Sequence, residues 1–224
     1  MRYSDPVGRL IPAAPKSSER RRRWQDAAFA ALDFEATGLD FTRDRIISFG
    51  VVPIDGGRVE TDKAVYDLVD PGPVMVSASS VAVHGLRSED LRGASSAESA
   101  REALRGALSR RYLITWHGHV EASFLGVLYG TTPRRWLRRS VDVRWLVLAL
   151  LGAEGARLTL SEAAARFEVP VAAPHHALDD ALVTANLLLV TAAQLGSEGL
   201  RTARDALRMG RARGPSSRRP VLPR

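Results

Sequence analysis

The chain has 224 residues, 45% of them apolar, enough for one full hydrophobic core and too many for a disordered polymer. It contains no cysteine, which removes disulfides and thiolate metal sites and fits a reducing, cytoplasmic setting. The net charge of +7 is uneven: residues 1–23 carry seven basic and two acidic side chains and residues 201–224 eight and one, leaving the span between them at −5. An acidic middle suits carboxylates gathered around cations better than a face that binds polyanions throughout.

Residues 1–23 hold three prolines, the run Arg20 to Arg23 and no hydrophobic periodicity, and read as a disordered basic arm. With 30 arginines against two lysines in the chain, compositional bias accounts for the basic ends as well as phosphate contacts to nucleic acid do. No apolar stretch follows these arginines in the way a secretory signal requires. Residues 24–200 read as one globular domain. It opens with apolar runs at 28–34 and 46–54, and a Gly-Gly pair at 56–57 then leads into a loosely alternating stretch at 58–69. Together these predict a three-strand antiparallel meander, closed by Pro71 and Pro73. A strand at 112–115 and helices at 97–109, 120–128, 141–151, 160–167 and 177–195 follow, with Gly196 as a stop. Strands first, then strands alternating with helices, predict an α/β fold around a mixed sheet. Residues 201–224 read as a basic tail that finishes the last helix and then becomes disordered. The longest apolar runs, such as 146–151, fall far short of the roughly 20 residues that span a bilayer, so no membrane is expected.

Asp33 and Glu35 close the first strand, in Ala-Leu-Asp-Phe-Glu-Ala-Thr-Gly-Leu. Residues two apart on a strand share a face, so both carboxylates converge on one spot. Magnesium, which takes a few carboxylates plus water and phosphate oxygens, is the cation that arrangement suits; ordinary surface acids at a strand end are the competing reading. Thr37-Gly38 follows and would let backbone amides approach a phosphate or sugar. The second signal is His175-His176-Ala177-Leu178-Asp179-Asp180, opening the last long helix behind Pro174. A histidine there suits a base that activates water near neutral pH; a polar first turn complementing the helix dipole is the alternative. Residues five apart in one helix diverge by ~140°. His175 and Asp180 therefore share a site only if His175 lies in the preceding loop, and His176 is the better partner on helical geometry alone.

Taken together, Asp-x-Glu-x-Thr-Gly at a strand end, an acidic residue mid-chain and His-x-Ala-x-x-Asp-Ala near the end resemble the three motifs of the DEDD 3′–5′ exonucleases. The similarity is to their histidine subclass, which includes the proofreading subunit of bacterial replicative polymerase. It extends over about residues 27–195, including the run Arg45 to Val52 and Val83-His84-Gly85-Leu86. It implies a ribonuclease H-like fold and a two-metal hydrolysis, with Mg2+ as cofactor and Mn2+ able to substitute. Asp33 would bridge the ions, Glu35 and Asp180 would complete the shell of one, and Glu121 would act through water on the other. The register set by Ala177 gives His175, rather than His176, the role of base. Thr37, Gly38, Leu39, His84 and Phe124 would contact the terminal nucleotide. One motif departs. In Trp116-His117-Gly118-His119-Val120-Glu121-Ala122-Ser123-Phe124-Leu125, Glu121 stands where the family has aspartate, and His117 replaces an asparagine. The implied substrate is a nucleic acid with a single-stranded 3′ end, DNA favoured, and the implied partner a DNA polymerase. A catalytically impaired nucleic-acid-binding or polymerase-associated module of the same fold is the alternative, and a ribonuclease trimming short RNAs would use the same site.

Overall fold

Strands buried on both faces need apolar residues at every position, and the first strand shows where that supply ends. In the computed structural model, which describes residues 11–211, β1 (Phe29–Ala36) sends Ala30, Leu32 and Phe34 into one hydrophobic core and Phe29 and Ala31 into another. The next two positions on the second face are Asp33 and Glu35. β2 (Ile46–Asp55) runs antiparallel to β1, with Gly50 opposite Asp33 and Ser48 opposite Glu35. Gly56 and Gly57, at φ of 59° and 70°, form the two-residue loop into β3 (Arg58–Val59), as a primed hairpin turn requires.

The expected continuous strand at 58–69 is broken. Glu60-Thr61-Asp62-Lys63 offers no apolar residue to bury, and a 3-10 turn at Thr61–Lys63 separates β3 from β4 (Val65–Leu68). Both pair with β2 on the same edge, with Tyr66 opposite Gly50. The connection beyond Pro73 contains α1 (Ala78–His84), a helix that weak periodicity conceals; Ser77 caps it and Gly85, at φ 76°, ends it.

The alternating half then follows, through α2 (Ala97–Leu108), β5 (Tyr112–Thr115), α3 (Gly118–Tyr129) and the short α4 (Pro133–Leu137). Next comes β6 (Ser140–Asp142), where a helix starting at 141 was expected. Ser140, Val141 and Asp142 instead pair with β5, because a short apolar run suits either structure and tertiary pairing decides. α5 (Val143–Leu151) begins only after Asp142, whose carboxylate caps it through the Arg144 amide at 3.1 Å. α6 (Leu160–Arg166), α7 (Ala177–Gln194) and α8 (Ala203–Met209) complete the order. The six-stranded mixed sheet runs β3-β2-β1-β5-β6 with β4 also on β2, and β5 and β6 lie parallel to β1. One core packs α2, α3 and α4 on the sheet; the other packs α5 to α8.

The ends differ from the sequence reading. Residues 11–23, expected within a disordered arm, lie against the domain: Ala13 accepts from the Arg110 amide and from the guanidinium of Arg139, and Arg23 bridges to Thr202. Carbonyls of a proline-rich strap serve the buried Arg139 in place of an acid, an interaction that hydrophobic periodicity does not register. α8 likewise belongs to the domain, burying Ala203 and Ala206, and is not the end of α7. Residues 1–10 and 212–224, where the rest of the expected basic arms falls, lie outside the described residues.

Candidate active site

The C-terminal ends of β1, β5 and β6 lie on one rim of the sheet, where open α/β sheets bind their ligands. From β1, Asp33 and Glu35 point to the α7 side, and α7 contributes Asp180 from its first turn. One oxygen of each lies within 4.8 Å of the others, a spacing that suits a shared metal ion. Proximity of this order requires α7 to sit almost on the sheet, and Gly50 permits it. A Cβ there would stand 2.3 Å from the Ala177 carbonyl oxygen and 2.4 Å from the Leu178 Cα. Gly50 therefore brings the helix bearing Asp180 down onto the strand beside Asp33.

Asp33, half-buried, titrates well above the usual carboxylate range because of burial first and then the charges of Glu121, Glu35 and Asp180. Burial, with the Asp180 charge added, pushes Glu35 up to about 8. Asp180 is raised by burial, against the opposing influence of the His175 amide. Among the described residues no cationic side chain offsets the negative form of Asp33 or Glu35, and a divalent cation is the group that would. The three acids therefore fit a metal in both donor type and spacing.

The histidines separate as the loop geometry demands. His175 precedes α7 at φ 61°, a left-handed conformation costly for a side-chain-bearing residue and concentrated at functional sites. Its amide donates to Asp180 Oδ2 at 3.1 Å, while Asp179 holds the loop by accepting from the amides of Ala172 and Ala173. His175 is exposed beside Asp180. His176, at the N-cap, instead stacks on Tyr66 with ring centroids 4.5 Å apart. Tyr66 escaped the sequence reading, since its position opposite Gly50 depends on the β4 register.

Glu121 lies on the first turn of α3, 4% exposed, with its Oε2 making no hydrogen bond. It is near enough to raise Asp33, yet it stands outside the group of three. Burial, followed by the charge of Asp142, holds Glu121 itself well above the usual range, while Arg144 opposes that rise. Asp142, fully buried, accepts from the Gly118 amide at 3.2 Å and from Arg144 through Nε and Nη2 at 3.1 and 2.7 Å. Absorbed into an expected helix, Asp142 and Arg144 were also missed; an acid just ahead of an apolar run is the cap signal that could have revealed the first.

The expected substrate contacts divide. Thr37 is buried, and its hydroxyl donates to Asp44 at 2.8 Å and accepts from the Arg45 amide at 3.1 Å, so it shapes the loop and its one donor is already used there. Gly38 passes so close to Asp44 that a Cβ would stand 2.4 Å from its Oδ2. Leu39, 68% exposed, projects at the rim. α1 is tied to this loop by Ser80, which donates to the Thr37 carbonyl at 2.8 Å, and brings His84 near enough to His175 for their charges to repel. Phe124 is a correction: it is 2% exposed and packs edge-on with Phe34 and Phe41, because the apolar face of α3 turns it into the core behind the site.

A mixed sheet in the order β3-β2-β1-β5-β6, with an acidic cluster where its parallel strands end, defines a ribonuclease H-like α/β fold. Solved structures share it. Exonuclease I of E. coli in complex with a dT13 oligonucleotide superposes with TM-score 0.65 at 13% identity, over 77% of this chain and 42% of that one. The nuclease domain of 3′hExo, described as a DEDDh family member bound to rAMP, superposes with TM-score 0.63 at 16% identity, over 78% and 94%. In sequence, the DNA polymerase III PolC-type proteins of Thermotoga maritima and Thermotoga petrophila are 29% and 27% identical over 171 and 173 residues, or 73% and 74% of this chain. The match spans only 12% of the length of either relative. The exonuclease family model (RNase_T) matches residues 30–188, and the chain belongs to that family.

Proposed function

We propose that the protein removes nucleotides from single-stranded 3′ ends, DNA in preference to RNA, releasing nucleoside 5′-monophosphates. The observation that carries this reading is the convergence of Asp33, Glu35 and Asp180 within 4.8 Å, with buried Glu121 beside them. Bound there, two divalent cations, Mg2+ with Mn2+ as a substitute, would polarise the phosphate and stabilise charge on the departing 3′ oxygen. Asp33, which feels the charges of Glu121, Glu35 and Asp180, would hold the ions together with Glu35 and Asp180. His175, exposed and held beside Asp180, accepts the proton of the attacking water. Leu39 and His84 border the terminal nucleotide, and Gly38 lets the backbone come close to it. The similarity to polymerase-associated sequences supports DNA as substrate and a DNA polymerase as partner. Among the described residues no helix is long and apolar enough to cross a membrane.

A 3′-labelled oligonucleotide incubated with Mg2+ or Mn2+ tests the reading. Wild type should release mononucleotides, chelator should abolish release, and Asp33→Ala should lower the rate by at least about 10³-fold. Equal, negligible release by wild type and Asp33→Ala would identify a binding module instead. Matched DNA and RNA strands in the same assay settle the sugar.

A further inference from the structure

We infer that Arg144 positions the substrate strand, gripping a backbone phosphate on the α3 side of the site; this rests on the exonuclease reading above. The residue follows the end of β6, on the same rim as the ends of β1 and β5. Its guanidinium is held in one plane by a fully buried carboxylate, since Asp142 accepts from Nε at 3.1 Å and from Nη2 at 2.7 Å. The same carboxylate takes the amide of Gly118, the first residue of the helix that carries Glu121. Arg144 is thereby fixed to the frame that places Glu121.

Capping explains only part of this arrangement. The Arg144 amide alone caps α5 on Asp142, and the guanidinium is not needed for that. Among the described residues no hydrogen bond uses Nη1, no second acid pairs with the side chain, and it remains 35% exposed. An arginine whose fork is oriented from behind by a buried acid and open in front is preorganised to receive a phosphate.

Charge points the same way. Asp33, Glu35, Glu121, Asp142 and Asp180 crowd one rim, and among the described residues Arg144 is the one arginine whose charge is felt at any of them. It is felt also at His117, on the lip of α3, where burial is the larger influence. A polyanion entering such a rim needs a fixed cation outside the carboxylate cluster, and Arg144 fills that place.

Steady-state kinetics on an oligothymidylate at several salt concentrations test the inference. Arg144→Gln should raise KM about tenfold with kcat within about threefold. It should also flatten the slope of log kcat/KM against log salt by about 0.7, the share of one phosphate contact on a single strand. Arg144→Lys should retain most of the slope, which a purely structural role would not predict. On wild type, phenylglyoxal footprinting with a strand bearing hydrolysis-resistant 3′ phosphorothioates should show Arg144 protected and Arg134 and Arg135 unchanged. An active wild type with unaltered KM and slope in Arg144→Gln overturns the inference while leaving the function standing. If that variant fails to fold, equal modification of Arg144 with and without strand overturns it. A wild type that releases no nucleotide removes the function and the inference together.

Discussion

The two halves of the acidic rim solve the same electrostatic problem in opposite ways. On the α7 side, Asp33, Glu35 and Asp180 converge with no arginine or lysine among them, and each is held above its ordinary range chiefly by burial. On the α3 side, Asp142 is buried more completely than Glu35 yet is supplied with Arg144 and two backbone amides. Glu121 lies between, buried, with one oxygen unpartnered. The difference separates carboxylates kept for a cation that must come from outside from a carboxylate that organises the protein. Removing the base or misplacing α7 should therefore affect chemistry, while the α3 side should remain intact as a folded unit.

The largest effect expected in this comparison comes from the base on the α7 side. His175→Ala should lower kcat by about 10²–10⁴-fold, the usual contribution of a positioned general base, with little change in Mn2+ binding. A variant within about threefold of wild type would return the proton-accepting role to His176 or to solvent. Gly50→Ala comes next. Its added methyl would overlap the backbone of Ala177 and Leu178, so α7 must retreat, carrying Asp180 from Asp33. A displacement near 1 Å at a catalytic group can cost on the order of 10²-fold in rate, and overpacking of this kind about 1–3 kcal/mol in stability. Titration with Mn2+, followed by calorimetry, should show the affinity loss directly; unchanged affinity would mean the helix does not depend on that glycine.

Stability of the metal-free protein provides the third test. In the folded chain the Glu35 carboxyl is pushed up to about 8 from its ordinary 4.5, so between those values the folded chain holds a proton that the unfolded chain has lost. Stability contributed at this site is then highest below about 4.5 and declines as pH rises toward 8. Asp33, Glu121 and Asp180 are shifted in the same direction and add to it. In chelator, the melting temperature should fall across this window; saturating Mg2+ or Mn2+ should reverse the fall and raise stability most at its upper end. A metal-free melting temperature that rises with pH there would contradict the uncompensated cluster.

Much of this site was legible because its parts are local in sequence. Asp33 and Glu35 share a face by strand periodicity, and the turn at Gly56-Gly57 follows from local chemistry. Pro174 places the start of α7 at or just after the histidines, but helical geometry alone favours His176; only the register at Ala177 in the family resemblance points to His175. What remained hidden depends on registers that no local pattern encodes. The role of Gly50 appears only when α7 is laid over β2, although a lone glycine inside a strand does hint at close backbone approach. Asp142 and Arg144 sit where Val-Asp-Val joins a helical run, so the edge strand β6 was read as helix. Phe124 fits either a stacking surface or a core; only the contacts with Phe34 and Phe41 decide.

The smallest expected effect distinguishes the neighbouring histidines. His176 stacks on Tyr66 at 4.5 Å and an interplanar angle of 26°, and its backbone carbonyl accepts from the Asp180 amide at 2.9 Å. His176→Ala removes the ring and leaves the carbonyl, so it should cost about 0.5–1 kcal/mol in stability, the usual value of one aromatic pair. The rate should stay within about threefold, since the ring is engaged in stacking on Tyr66. Tyr66→Leu, which keeps an apolar contact but removes the aromatic face, should reproduce the stability loss, and the double variant should lose no more than either alone. Chemical denaturation read alongside the nucleotide-release assay checks both. A His176→Ala rate as low as that of His175→Ala would show that the two rings exchange roles when substrate binds.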